Sequence, residues 1–123
     1  MAQSIRKVGI IGAGQMGNGI AHVCALAGVP VVINDIAAPR LKEALATING
    51  NMARQVARKR ITEDQKQAAL KLINTAESYD GLSDCDLVIE AATEKEDVKR
   101  RIFTDLCPSL KPDALVASNT SSI

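Results

Sequence analysis

The sequence predicts an α/β fold in which helices cover both faces of a parallel sheet, and three observations support this. A short apolar run, Val8 to Ile11, leads into a glycine-rich turn. A second apolar run, Val31 to Asn34, ends at the carboxylate of Asp35. Later runs of strand length alternate with segments whose apolar residues recur at helical spacing. The 123 residues are therefore predicted to form one domain with a doubly wound, Rossmann-type sheet.

The glycine turn Gly12-Ala-Gly-Gln-Met-Gly17 is typical of a dinucleotide-binding βαβ unit. Gly12 permits the tight turn, Gly14 lets the main chain approach a pyrophosphate, and Gly17 allows helix and sheet to pack closely. The phosphates would lie at the helix N-terminus, where free N–H groups and the positive end of the dipole face them. Three glycines alone also fit an ordinary strand-to-helix turn. The order of strand, glycines, helix, second strand and acid favours the cofactor site.

Asp35 lies 18 residues after Gly17, where a carboxylate can accept hydrogen bonds from the adenosine ribose hydroxyls. Its charge would oppose a 2′-phosphate by about 1 to 3 kcal/mol at surface-like dielectrics. The sequence therefore favours NAD over NADP. Arg40 is the nearby residue that could offset this repulsion, although a solvated cation at a helix start is its simpler interpretation.

Regular alternation of elements follows from the hydrophobic pattern. The pattern predicts a strand over 5–11, a helix over about 14–27 that ends at Gly28, and a strand over 31–34. His22, the single histidine, is interpreted as a partly exposed helix residue without a catalytic role. The residues predicted to share the inner face of this first helix are Ile20, Val23, Cys24 and Ala27.

Two helical segments are predicted between Pro39 and Ala76, where a single crossover helix would suffice. The second begins at a capping box in which Thr62 and Gln65 satisfy each other's free N–H groups. The first carries a continuous apolar stripe at helical spacing, formed by Leu41, Leu45, Ile48, Met52 and Val56. The residues predicted to face inward in and after the second are Ala69, Leu70 and Ile73.

A basic cluster lies between these two helices and consists of Arg54, Arg58, Lys59 and Arg60. Such a charge run is usually a solvated face. The alternative is an anion site, for instance for the phosphates of a large acidic substrate carrier.

The rest of the chain is predicted to complete the sheet. Strands are expected over 74–79, with Asp80-Gly81 as a turn, over 86–92 and over 115–117. A helix from about Lys95 should place Val98, Ile102 and Leu106 against the sheet and end at Pro108. The polar run at 118–122 would then emerge at the carboxyl edge, where open α/β sheets bind ligands.

Composition excludes several classes of protein. A net charge of +1 and 2% aromatic residues argue against a nucleic-acid surface. Three widely spaced cysteines without a CxxC pair indicate reduced thiols, with neither a disulfide framework nor a metal site. The first apolar run is too short for a signal peptide or a membrane span, so a cytoplasmic protein is expected.

Three segments resemble a known family. They are the turn from Gly12 to Ala21, the segment from Leu87 to Glu94 and, above all, the ending Ala-Ser-Asn-Thr-Ser-Ser-Ile at 117–123. They look like the amino-terminal domain of 3-hydroxyacyl-CoA dehydrogenases, with the bacterial 3-hydroxybutyryl-CoA dehydrogenases as the best match. The resemblance runs from Val8 to the last residue and includes the helical hairpin after the second strand.

This resemblance implies roles for individual residues. Glu94 and Lys99 match a charged pair near the nicotinamide half of the cofactor. Ser121 matches the serine that hydrogen-bonds the C3 oxygen of the substrate, and Asn119 lies beside it in the cleft. The positions that match the family's cofactor site are Gly12, Gly14, Gln15, Met16, Gly17, Asp35, Glu94 and Lys99. Lys59, with Arg54 or Arg58, falls roughly where the hairpin of the family contacts coenzyme A.

The family's reaction is reversible hydride transfer between NAD and C3 of an (S)-3-hydroxyacyl-CoA. A histidine removes the hydroxyl proton and a glutamate orients it, and both lie beyond the family's serine run. The resemblance thus implies the truncated NAD-binding half of a homodimeric enzyme of fatty-acid metabolism, without its helical C-terminal domain. We expect such a fragment to bind NAD(H) without turnover and, with an apolar docking face exposed, to self-associate.

Two alternatives remain open at this point. β-Hydroxyacid dehydrogenases of the 6-phosphogluconate type share a Gly-x-Gly-x-Met-Gly turn, although the helical hairpin and its basic cluster argue against them. A stand-alone NAD-sensing module is the other alternative. A reading frame that continues into a His-Phe-Phe-Asn-Pro-like motif would exclude the module.

Overall fold

A computed structural model, which describes residues 5–93 and 95–118, shows a five-stranded parallel sheet. The strands are β1 (Val8–Ile11), β2 (Val31–Asn34), β3 (Ile73–Ala76), β4 (Leu87–Glu90) and β5 (Leu115–Ser118). Their order across the sheet is β3-β2-β1-β4-β5, and each neighbouring pair is parallel. This is the order of a doubly wound nucleotide-binding sheet, and it confirms the predicted fold class.

Helices cover both faces of this sheet. They are α1 (Gln15–Leu26), α2 (Ala38–Ala57), α3 (Glu63–Lys71) and α4 (Glu96–Leu106), with short 3₁₀ turns at Tyr79–Leu82 and Cys107–Ser109. One core lies between the sheet and α1, α2 and α3, and includes Ile10, Ile33 and Ile48. The second core joins Ile11 and Val88 to Leu106 of α4. No helix in the described ranges is long and apolar enough to cross a membrane.

The first strand is shorter than predicted. Pairing begins at Val8, and Ile5 is 37% exposed. The reason lies at the amino edge of the sheet, where the backbone N–H groups of Arg6 and Lys7 donate to Oδ2 of Asp86 at 2.8 and 3.0 Å. Lys111 also pairs with Oδ1 of this carboxylate, so Asp86 ties the starts of β1, β4 and β5 together.

The inner face of α1 also differs from the prediction, because Val23 is 68% exposed and Ala27 is exposed. Ile20 and Cys24 are only partly buried. Close packing of the glycine turn fixes the rotation of the helix, and residues one and two turns beyond Gly17 are therefore buried. The buried positions of α1 are Gly17, Asn18, Ala21 and Ala25.

The helical hairpin agrees with the prediction. Leu41, Ile48 and Met52 of the α2 stripe are buried, and Leu45 packs against them. The capping box at the start of α3 is formed, with the Gln65 N–H donating to Thr62 Oγ1 at 3.1 Å and the Thr62 N–H donating to Gln65 Oε1 at 2.8 Å. Ala69 is buried at the end of α3, whereas Ile73 is buried as the first residue of β3.

Two later elements shift relative to their predicted positions. β3 occupies Ile73–Ala76 where 74–79 was predicted, because the Asn34 side chain donates to the carbonyls of Ala76 and Ser78 and the chain then enters the 3₁₀ turn. In α4, Val98 is 38% exposed and Lys99 takes an inward position at 4% exposure, while Ile102 and Leu106 face the core as predicted.

Candidate functional site: the carboxyl edge of the sheet

The carboxyl ends of the central strands meet at one edge. Ile11 lies level with Asn34 of β2 and with Glu90 of β4, and Glu90 lies level with Ser118 of β5. The glycine turn, Asp35, the start of the loop after β4 and the end of β5 at Ser118 therefore all lie on this side of the sheet. In open α/β sheets this is the side on which ligands bind.

Gly12 and Gly17 are required by the backbone itself. Gly12 has φ of +109°, and a Cβ on it would lie 2.8 Å from Cα of Ala92. A Cβ on Gly17 would lie only 2.1 Å from the carbonyl oxygen of Gly12. The turn can therefore close onto α1 and the loop after β4 only with glycine at both positions.

Gly14 differs from these two glycines because its surroundings are open. A Cβ there would have ordinary contact, 3.5 Å, with Nη2 of Arg40. Gly14 caps α1, and the following Gln15 and Met16 are exposed. Open space beside a bare backbone at a helix N-terminus is what a pyrophosphate needs for close approach.

Asp35 lies at the end of β2 and is held in place by three donors. Its Oδ1 accepts from the Ala37 N–H at 3.0 Å, and its Oδ2 accepts from the Ala13 N–H and from Arg40 Nε, both at 3.1 Å. The carboxylate is 12% exposed, whereas the Arg40 side chain is 57% exposed. Arg40 is thus an exposed cation at the start of α2, as the sequence predicted, and it is also ion-paired with Asp35.

Two adjoining cavities extend from Gly12 and Asp35. The larger, about 410 Å³, is also lined by Gly14 and Arg40. The smaller, about 190 Å³, is mostly apolar and has Tyr79 and Ile102 in its wall. Burial, together with Asp105 and Glu90, raises the pKa of Tyr79, so its phenol stays protonated. A cavity with a carboxylate and a guanidinium in its wall, beside a mostly apolar cavity, fits a ribose and an adenine ring, respectively.

The basic cluster forms a separate cavity of about 440 Å³ between α1 and α2. Arg54, Arg58 and Arg60 contribute to its wall, as does His22, whose Nε2 lies 2.7 Å from Gln55 Oε1. Lys59 is not among its lining residues and occupies the corner after α2 with φ of +61°. A groove of about 710 Å³ adjoins this cavity at Asn51, which lines both, and has Gly14 in its wall.

Comparison with known proteins identifies the family. Residues 7–123 match the model of a family described as 3-hydroxyacyl-CoA dehydrogenase, NAD binding domain. The chain belongs to this family. It is 66% identical over 123 residues to a 3-hydroxybutyryl-CoA dehydrogenase of Bradyrhizobium diazoefficiens, and 43% identical over 124 residues to one of Mycobacterium tuberculosis. It covers 42% and 43% of these two relatives, so it spans about two fifths of their length.

Solved structures lead to the same family. A crystal structure of (S)-3-hydroxybutyryl-CoA dehydrogenase from Ralstonia eutropha superposes with a TM-score of 0.93 at 44% identity, over 98% of this chain and 42% of that one. The Escherichia coli 3-hydroxybutyryl-CoA dehydrogenase superposes with a TM-score of 0.94 at 36% identity, over 98% of this chain and 26% of that one. NAD is therefore the cofactor of this domain, as the sequence predicted, and the glycine turn and Asp35 cavities fit it.

A buried polar network in this NAD-binding domain was missed by the sequence analysis. Glu90, fully buried, accepts from the N–H groups of Ala92 and Thr93 at 2.6 and 2.9 Å through Oε2. Its Oε1 accepts from Lys99 Nζ at 2.5 Å, and Lys99 also donates to Ser118 Oγ at 2.8 Å. The network joins the loop beside Gly12 to the strand that leads into the serine run.

Three predicted site residues, Glu94, Asn119 and Ser121, lie outside the described residues. Lys99 is ion-paired with Glu90, and its predicted pairing with Glu94 involves a residue outside the described ones. A single signal in the sequence pointed to this pair, namely a carboxylate at the last position of an apolar strand. No group of three or more histidine, cysteine or acidic side chains arranged for a metal occurs in the described ranges.

Proposed function

We propose that this chain is the NAD-binding part of a dehydrogenase that interconverts (S)-3-hydroxyacyl-CoA and 3-oxoacyl-CoA, with 3-hydroxybutyryl-CoA as its substrate. The main observation behind this proposal is that the glycine turn, Asp35 and Ser118 lie at the same carboxyl edge of the sheet. The names of the similar proteins supply the substrate. When bound, NAD accepts a hydride from C3 of the hydroxyacyl group or returns it as NADH.

In this proposal each part of the edge has a separate task. The N-terminus of α1 and Gly14 bind the pyrophosphate, and Asp35 binds the adenosine ribose. The loop after β4 borders the nicotinamide half, together with Lys99 and Glu94. Ser121 and Asn119, carried over from the family, orient the C3 oxygen of the substrate.

The proton that leaves the C3 hydroxyl needs a base, and His22 does not supply it. His22 lies on α1 against Gln55 in the wall of the basic cavity, away from the strand ends. The family's catalytic histidine and its glutamate lie beyond the serine run. The 123-residue chain is therefore proposed to bind NAD(H) and to have no turnover.

A direct test uses the purified chain. NADH binding, followed by nicotinamide fluorescence or calorimetry, is expected to saturate, while reduction of acetoacetyl-CoA stays at the rate without protein. Failure to bind NADH would remove the cofactor half of the proposal. Measurable reduction of acetoacetyl-CoA would remove the claim that this chain lacks the base.

The basic cavity is proposed to hold the phosphates of coenzyme A. Arginine forks match phosphate oxygens, and the groove through Asn51 leads from this cavity towards the cofactor edge. Arg58→Gln should weaken binding of coenzyme A, whereas Lys59→Gln, outside the cavity wall, should have a smaller effect. Equal losses in both variants would indicate a diffuse charge effect instead of a site. The comparison is best made in the whole enzyme and repeated with dephospho-coenzyme A.

A further inference from the structure

Arg40 lies between Asp35 and Gly14, the two functional parts of the cofactor cleft. Its Nε donates to Asp35 Oδ2 at 3.1 Å, while Nη2 lies 3.5 Å from the point where a Cβ on Gly14 would be. Among the described residues that line the two cavities on either side of Gly14, Arg40 is the single cationic side chain. It belongs to the first turn of α2, and its side chain is 57% exposed, so there is solvent space for a second rotamer.

Asp35 has too few free acceptor positions to bind both ribose hydroxyls in the arrangement that the structure shows. A carboxylate offers about four lone-pair positions. Three are filled, by the Ala13 N–H, the Ala37 N–H and Arg40 Nε. A ribose that uses both hydroxyls needs two positions, and one remains. Because two of the present donors are backbone groups fixed by the fold, Arg40 is the donor that can leave.

We propose that Arg40 is a phosphate-binding residue of the cofactor site, and that it moves from Asp35 to the pyrophosphate when the ribose hydroxyls take the carboxylate. This inference rests on the proposed function, since it needs a dinucleotide in the cleft. Because Arg40 exchanges partners, the Asp35–Arg40 ion pair is a property of the free domain.

Charge and geometry both favour the exchange. The first turn of α1 carries no acidic side chain that would repel a phosphate, and the guanidinium already lies beside the bare backbone of Gly14. A guanidinium presents parallel N–H donors that match phosphate oxygens. Arg40, the partner that leaves, is 57% exposed, so water solvates its guanidinium while the ribose hydroxyls take its place on Asp35.

The competing interpretation is that Arg40 only orients Asp35. In that case the loss of Arg40 would affect every ligand that uses the ribose site to the same degree, with or without phosphates. The two interpretations therefore differ in how affinity depends on the phosphates of the ligand.

The experiment measures the binding of adenosine, ADP and NADH to the 123-residue chain by calorimetry. The variants are Arg40→Gln, Arg40→Lys and, as a matched control, Lys42→Gln, which removes an exposed charge two residues along the same helix and lies outside the walls of both cavities. Thermal unfolding of each variant verifies that the fold is intact. A salt titration of ADP binding adds a second readout.

Arg40→Gln is expected to weaken ADP and NADH binding roughly tenfold or more, as for the loss of a charge-assisted hydrogen bond. Adenosine affinity should stay the same or increase, because Asp35 is released. Arg40→Lys should retain part of the gain in affinity that ADP shows over adenosine. Lys42→Gln should leave all three affinities unchanged. The salt dependence of ADP binding should decrease in Arg40→Gln.

Equal changes for adenosine and ADP, or no change for either, would overturn the exchange while leaving NAD binding itself intact. Absence of ADP and NADH binding by the unaltered chain is a distinct result. It would remove the proposed function and this inference with it.

Discussion

Individual residues of the glycine turn have unequal tasks, and two matched substitutions separate them. Gly17→Ala brings a Cβ to 2.1 Å from the Gly12 carbonyl oxygen, so the backbone must shift. We expect it to lower the free energy of unfolding by about 1 to 3 kcal/mol, as overpacking does. Gly14→Ala meets only the mobile end of Arg40 at 3.5 Å, so its melting temperature should stay near that of the parent chain.

The two variants should also differ in cofactor binding. Gly14→Ala should lose NADH affinity while keeping its stability, whereas the main loss in Gly17→Ala should be stability. In Gly14→Ala the new methyl group keeps the pyrophosphate from the backbone, and NADH affinity should fall roughly tenfold or more. Thermal unfolding and NADH titration, run in parallel, test both statements. A Gly14→Ala chain that binds NADH as well as the parent would show that close approach at Gly14 is not needed.

At the scale of elements, Glu90 joins β4, α4 and β5 through one buried carboxylate. Glu90→Gln leaves the Lys99 ammonium buried without its counter-charge, which typically costs about 3 to 5 kcal/mol. Combining it with Lys99→Met removes both charges, and we expect the double variant to be more stable than Glu90→Gln alone. Urea unfolding of the parent, of Glu90→Gln and Lys99→Met separately, and of the double variant gives the coupling energy between the two side chains.

Glu96→Gln is the control for this cycle, since it removes the same charge from an exposed i,i+4 pair with Arg100 at the surface of α4. Its effect should be below about 0.5 kcal/mol. If Glu90→Gln proved as mild as Glu96→Gln, the buried pair would have no part in joining the three elements.

The same scale shows what the sequence could and could not predict. The α2 stripe and the Thr62–Gln65 capping box depend on local spacing, so both were predicted and are present. The inner face of α1 was predicted from its largest apolar residues, but rotation is fixed by Gly17, which leaves Val23 exposed. Lys99 and Glu90 are nine positions apart on different elements, and no periodicity connects such a pair.

At the scale of the whole molecule, Asp86 makes stability depend on pH. A hydrogen bond from Lys111, with further donation from the Arg6 and Lys7 backbone, lowers the pKa of Asp86 below its ordinary value of 3.8. A group whose folded pKa is depressed stabilises the fold above its unfolded pKa, and this contribution is lost as the pH falls through the folded value. Stability due to Asp86 is therefore complete above about pH 5, begins to fall near pH 4 and is lost as the pH drops through the depressed folded pKa.

Asp86→Asn should accordingly lower the melting temperature at pH 6, and the gap from the parent chain should narrow as the pH approaches 3. Asp84 provides the comparison, because the Lys7 hydrogen bond also lowers its pKa but its side chain is 67% exposed. Asp84→Asn should change the melting temperature much less at either pH. A melting-temperature difference between Asp86→Asn and the parent that does not change with pH would contradict this account of the amino edge.

The β5 edge of the sheet leads to a prediction about association between copies of the chain. Among the described strands, β5 has β4 on one side and no strand on the other, and Leu115 and Val116 are 48% and 39% exposed on it. An exposed apolar edge strand offers unpaired N–H and C=O groups to a second chain. We expect the 123-residue chain to self-associate with increasing concentration, and Val116→Lys to shift it towards monomer.

Val23→Lys is the control for this prediction. It introduces the same charge at a 68% exposed position on a helix, away from any strand edge, and should leave the association constant unchanged. Sedimentation velocity separates these cases, because equal effects of the two lysines would indicate general charge repulsion, and a monomer at all concentrations would exclude association through this edge.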